Sequence, residues 1–227
     1  MRVLAVDTAL DACSAAVLDL ARGGIVASES LVMKRGHAEA LMPLIARVMQ
    51  QAATDFSELD RVAVTTGPGS FTGLRVGISA TRGIALAAGK PAIGLSTLAA
   101  FAAPLIAEDD STHVVAAIDA RHSNVFIQVF GTGGRTLVSP RIASIRDAVR
   151  AATTGPARLV GSAAGSLAAA WPKGADPPLL VANRGAPDVD WIARLGAAAE
   201  DGYAPPKPLY LRAPDAQPQD AAHLPRR

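Results

Sequence analysis

The chain has 227 residues, half of them apolar, with 4% aromatic and 19% charged side chains and a formal charge of +2. That is enough apolar sequence for one large domain or two small ones. The near-balance of 22 basic and 20 acidic residues, together with the shortage of aromatics, argues against an autonomous nucleic-acid surface built from a basic groove with stacking platforms.

Cys13 is the single cysteine, which excludes an internal disulfide and a cysteine zinc site and fits a reducing cytosol. The opening "MRVLAVD" is interrupted by Asp7 too early for a signal peptide, and no apolar run reaches membrane-spanning length. A cytoplasmic protein without a membrane partner is expected.

In chain order, "VLAVD" (3–7), "CSAAVLDL" (13–20) and "IVASESLV" (25–32) are short apolar runs separated by turn residues, and they predict an antiparallel meander. From His37 to Ala52 the period changes: Leu41, Leu44, Ile45, Val48 and Ala52 recur at helical spacing, with Met42 and Met49 widening the stripe beyond what one buried face requires. "RVAVTTG" (61–67) reads as the next strand. It runs into "TTGPGSFTGLRVG" (65–77) and then a helix capped by Ser70 and stopped near Gly89, Lys90 and Pro91. A strand at "AIGL" (92–95) and a helix near 96–107 follow.

"HVVAAIDARHSNVFIQVF" (113–130) repeats the plan of "RVLAVDTALDACSAAVLDL" (2–20): an apolar strand ending in Asp, a short loop, and a second apolar strand. Asp7 and Asp119 hold matching places, so a duplicated α/β architecture is expected. The second copy continues through "RTLVS" (135–139), a helix near 144–152 and "ARLVG" (157–161), then gives way to Pro- and Gly-rich sequence such as "WPKGADPP". The expected division is an N-terminal unit 1–104, a reduced C-terminal unit 105–211 and a disordered tail 212–227.

The glycine turn matches neither familiar phosphate loop. A Walker A loop needs two glycines five apart and then a lysine, but five residues beyond Gly67 stands Thr72, and Gly73 is followed by Leu74 and Arg75. The dinucleotide fingerprint needs its third glycine one place earlier and belongs on the first strand. The helix beyond the turn lines up Gly73, Gly77 and Ala80, a spacing that serves close helix packing inside the chain or association with a partner. Because the helix over 37–52 also has apolar surface to spare, a protein interface is expected there. Its candidate residues are His37, Leu41, Leu44, Ile45, Val48, Phe71, Gly73, Leu74, Arg75, Gly77, Ile78 and Arg82. A large charged residue at Leu74 or Gly77 is expected to break association and leave the fold intact.

"LAVDTA", "RGHAEALMPLI", "VTTGPGSFTGLRVGISATRGIALAAGKPAIGLSTLAAFA" and "IDARHSNVFIQVF", in this order, resemble the TsaB (YeaZ-like) family of bacterial tRNA threonylcarbamoyladenosine biosynthesis proteins, historically grouped with glycoproteases. The resemblance covers about residues 1–130 and is most specific at 65–102; "LVGSAA" and "PLYLRAPDA" echo later family motifs.

It implies an actin/Hsp70-like fold of two related subdomains, the second one reduced. It also implies a non-catalytic role in making the threonylcarbamoyl group on adenosine 37 of tRNAs. The implied partners are a TsaD-like paralogue that transfers the group and a TsaE-like ATPase. A homodimer is implied when the chain is alone, with tRNA reached only through the complex. No cofactor is implied for this chain alone, with ATP and Mg²⁺ at the complex interface.

Two metal-binding histidines of TsaD-like proteins fall on Thr97 and Phe101, which cannot replace imidazoles as ligands, so no metal site is expected. A zincin helix is also missing, since His37 is followed by Ala38 and position 41 is Leu. The competing readings are an ATP-binding enzyme of the actin/Hsp70/sugar-kinase class and a glycoprotease-like peptidase. For the first of these the candidate contacts are Asp7, Thr8, Gly67, Gly69, Ser70, Asp119 and Arg121. The bland alternative for Asp7 and Asp119 is an Asx turn that satisfies loop amides.

Overall fold

The computed structural model describes residues 1–200 and 205–212. The first half opens with β1 (Arg2–Asp7), β2 (Ala12–Asp19) and β3 (Gly24–Val32), followed by α1 (His37–Gln51), β4 (Arg61–Gly67), α2 (Phe71–Ala88), β5 (Ala92–Ser96) and α3 (Thr97–Glu108). The second half has β6 (His113–Asp119), β7 (Asn124–Phe130), β8 (Thr136–Ser144), α4 (Ile145–Ala152), β9 (Ala157–Val160), α5 (Ala164–Ala169), β10 (Leu180–Ala182) and α6 (Val189–Ala198).

The two sheets repeat one topology. The first is ordered β3-β2-β1-β4-β5, and the second, read from its other edge, β8-β7-β6-β9-β10. In each, three antiparallel strands form a meander and two later strands run parallel to the first. The repeat seen in the sequence is therefore a repeat of sheet order, and the architecture is the duplicated actin/Hsp70-like α/β fold.

The burial pattern explains the sequence pattern. Val3, Leu4, Ala5 and Val6 of β1 are all buried, as expected for a central strand covered on both faces, where apolar residues run continuously rather than alternating. One face of the first sheet packs on α1 and α2 through Leu41, Leu44, Ile45, Val48, Leu74 and Ile78. Its other face packs on α6 through Val189, Ile192 and Ala193. In the second half, α4 and α5 cover one face, and α3 covers the other with Leu98, Phe101 and Leu105. Thus α3 and α6 touch one another between the sheets, and α6 lies on the first sheet although it follows the second in the chain.

Several elements lie outside the sequence reading: α5, β10 and α6, all in the stretch read as irregular. The strand at 135–139 extends as β8 to Ser144. The expected disordered tail lies, apart from Arg212, outside the described residues. Among the described residues no helix is long and apolar enough to cross a membrane.

Candidate functional site

Asp7 ends β1 fully buried. Its Oδ1 accepts hydrogen bonds from the Ala9 amide at 3.1 Å and from the Thr65 hydroxyl, while Oδ2 has no partner among the described residues. Burial pushes the carboxyl up to about 6, partly opposed by the Thr65 and Ala9 hydrogen bonds and, more weakly, by His37. His37 itself is held by the Leu10 carbonyl, 3.0 Å from Nε2. Neighbouring Cys13 is buried, and its thiol is pushed up to about 11, chiefly by desolvation, which suits a small core residue rather than a nucleophile.

The glycine turn is seated directly on this acidic turn. The Ser70 amide donates to the Ala9 carbonyl at 2.7 Å, and the Thr8 hydroxyl donates to the Gly73 carbonyl at 2.7 Å. A Cβ at Gly69 would lie 2.5 Å from the Ala9 oxygen; at Gly73 and Gly77 it would run into the Thr8 carbonyl and hydroxyl oxygens. These glycines therefore let the start of α2 pack directly on residues 8 and 9. Ser70 caps α2 as expected, accepting from the Gly73 amide at 3.3 Å, and the Gly67–Pro68 bond is cis.

The second acidic turn is built differently. Asp119 is exposed, and its Oδ1 accepts from the Arg121 amide at 2.8 Å while its own amide donates to Ser162 Oγ at 3.0 Å. Arg121, His122 and Ser123 all have left-handed backbone, with φ of 62°, 51° and 59°, a conformation that costs a side-chain-bearing residue about 1 kcal/mol or more. Asp7 and Asp119 thus both form Asx turns, each bonding the amide two residues on. Only Asp119 faces outward, and Thr8 is buried beside Asp7.

The docking set read from the sequence needs correction. His37, Leu41, Leu44, Ile45, Val48, Gly73, Leu74, Gly77 and Ile78 are buried inside this chain, against β1, β2 and β4 or the 8–9 turn. Their apolar spacing marks the intramolecular face of α1 and α2, so no partner reaches them in the folded chain. A charge at Leu74 or Gly77 would disrupt the core rather than only an interface. Phe71, Arg75 and Arg82 do stand outside.

With Ser79 and Leu86, these exposed residues form the outer stripe of α2. Leu86 is 85% exposed and Phe71 43%, and Met42 of α1 is 49% exposed. Thr97 and Phe101, at the positions of the TsaD-like histidines, are buried one turn apart on α3.

The family model described as "TsaD: tRNA N6-adenosine threonylcarbamoyltransferase" matches residues 15–177. The tRNA threonylcarbamoyladenosine biosynthesis protein TsaB of Escherichia coli is 39% identical over 56% of this chain and 53% of its own length. An uncharacterized protein of Mycobacterium bovis is 34% identical over 95% of this chain and 94% of its own. A Pseudomonas aeruginosa crystal structure, described as similar to peptidase YeaZ, superposes with a TM-score of 0.77 at 29% identity over 93% of this chain and 99% of its own.

The chain belongs to the TsaB/YeaZ family. The match to the E. coli TsaB spans only about half of that relative, 53% of its length. In this TsaB-family chain the family-model match, residues 15–177, takes in the glycine turn and the second acidic turn.

Sequence reasoning passed over Leu86, whose neighbours one turn away are Arg82, Gly83, Gly89 and Lys90, and it counted Met42 as widening the apolar stripe without naming it as an interface residue. It also passed over the contacts of 205–212, although "PLYLR" stood out as a motif. Tyr210 stacks on Phe71 with ring centroids 5.2 Å apart, and Arg75 lies 3.7 Å from the other ring's centre while its Nε donates to the Tyr210 hydroxyl at 3.2 Å.

Proposed function

We propose that this chain is a non-catalytic subunit of the bacterial tRNA threonylcarbamoyladenosine system, docking a TsaD-like transferase through the outer face of α1 and α2. The observation that carries the reading is the apolar side chains left outside after the core is complete: Met42 of α1 and Phe71 and Leu86 of α2 stand exposed, with Arg75 and Arg82 on the same stripe of α2. Large apolar side chains left exposed on a helix whose other face is already buried favour protein association. The pathway is taken from the TsaB relatives, which are tRNA threonylcarbamoyladenosine biosynthesis proteins.

In this reading the same face pairs two copies when the transferase is missing, and tRNA and the TsaE-like ATPase are met through the complex. Support for a non-catalytic role comes from the first acidic turn, where Asp7 is enclosed and the glycine turn is packed on the chain's own backbone. ATP and Mg²⁺ would then act at the complex interface and not on this chain alone.

The test is size-exclusion chromatography with light scattering of the chain, alone and mixed with a TsaD-like transferase. The unmodified chain should run as a dimer alone and as a heteromer in the mixture. Leu86→Glu and Met42→Glu should abolish both while leaving stability within about 0.5 kcal/mol, as is usual for exposed sites. A chain that stays monomeric in the mixture, or variants that bind as well as the parent, would overturn the assignment.

A further inference from the structure

Residues 205–212, "PPKPLYLR", connect the two halves of the molecule. Buried Pro206 packs against β5, where a Cβ at Gly94 would lie 3.0 Å from the Pro206 Cβ. The Leu209 amide donates to the Thr66 carbonyl at 2.7 Å. Its own carbonyl presses on the glycine turn so closely that a Cβ at Gly67 would sit 2.9 Å away. Tyr210 is clamped by Phe71 and Arg75 at the start of α2. Two residues later, Arg212 Nη1 donates to the carbonyl of Ala120 at 3.2 Å, in the second acidic turn.

The segment therefore crosses the carboxyl ends of β4 and β5, the crevice in which open α/β sheets usually bind ligands, and ends on the other sheet. Its three prolines restrict the free segment to extended conformations, which lowers the entropy lost on seating it.

We propose that residues 205–212 are an intramolecular latch: an extended, proline-rich peptide ligand supplied in cis, seated on Thr66, Gly67, Gly94 and Phe71 of the first half and holding the 119–124 turn of the second half through Arg212. Gly67 and Gly94 are glycines in part because the latch lies on them. The device is internal to the chain and does not depend on a partner or a nucleotide.

A latch couples its two ends, whereas a passive tail does not. The test is hydrogen exchange, read by mass spectrometry, on the full chain and on Tyr210→Ala, Tyr210→Phe and Arg212→Ala. The ring and hydroxyl partners of Tyr210 among the described residues, Phe71 and Arg75, lie in the first half, so Tyr210→Ala should speed exchange of the 119–124 amides by roughly tenfold, as local opening free energies allow. Tyr210→Phe, which keeps the ring stack, should change them far less. Arg212→Ala should speed the same amides and also the Leu209 amide at the far end. Unchanged protection of β1 and β6 would show that each variant remains folded, as the partial exposure of Tyr210 leads one to expect. Should Tyr210→Ala alter only residues near Phe71 and leave 119–124 at the parent rate, the latch is ruled out.

Discussion

Asp7 and Asp119 stand at matching turns and make the same local hydrogen bond, yet one is enclosed and the other faces out. The shared Asx turn follows from residue type and was legible in the sequence. The difference in burial was not, because it comes from the glycine turn folding down on Thr8 and Ala9. Burial lifts the Asp7 carboxyl from 3.8 to about 6, so the folded chain holds this proton more tightly than the unfolded chain. The group's contribution to stability is therefore complete below pH about 4 and is lost as pH rises through about 6, up to roughly 3 kcal/mol.

Depressed carboxyls elsewhere act in the opposite sense: Asp19 and Glu29 are each held down first by an arginine, through Arg2 and Arg47. The clean observable is the difference between the parent and Asp7→Asn in thermal melts from pH 4 to 8. Asp7→Asn should gain on the parent across this window, and curves that stay parallel would show that Asp7 does not titrate as described.

At the scale of elements, α2 illustrates what a sequence can and cannot say. Both of its ends were readable, from Ser70 as cap and Gly89 in the left-handed conformation as stop, with the Lys90 amide closing on the Ala85 carbonyl at 2.8 Å. Which of its faces meets the protein's own core was not readable, since an apolar or small-residue stripe looks the same whether it is covered by the chain or by a partner. The stripe of Gly73 and Gly77 is covered by the 8–9 turn, whereas Gly83 has nothing near it.

Accordingly, Gly73→Ala should destabilise by at least about 2 kcal/mol through overpacking against a backbone oxygen. Gly83→Ala should stabilise by about 0.5–1 kcal/mol through helix propensity alone. Urea midpoints would register both, and equal responses would refute the packing described. The helix α6 was missed even though its signal was present: Asp188 accepts from the Asp190 amide as a cap, and Val189, Ile192, Ala193 and Gly196 keep helical spacing. The prolines and glycines preceding it suggested irregular chain, and only the packing of Gly196 against Ala63 shows why a small residue stands there.

Across the whole molecule, the duplicated sheet order was foreseeable from the repeated strand–Asp–strand pattern. The return of α6 to the first sheet, and the crossing of 205–212 to the second half, were not, because contacts so distant in sequence leave no local pattern. These late segments tie the two halves together from within. Asp7 is enclosed in a finished core, while apolar side chains remain on the outside of α1 and α2. That combination fits a protein that works by binding another.

The most direct measurement is reconstitution: this chain with a TsaD-like transferase, a TsaE-like ATPase, threonylcarbamoyl-adenylate and tRNA, with parallel reactions that omit the chain or replace it by Leu86→Glu. Modified adenosine should accumulate only with the parent chain, and Asp7→Asn should support it as well as the parent does. Equal product in the reaction without the chain would contradict the account.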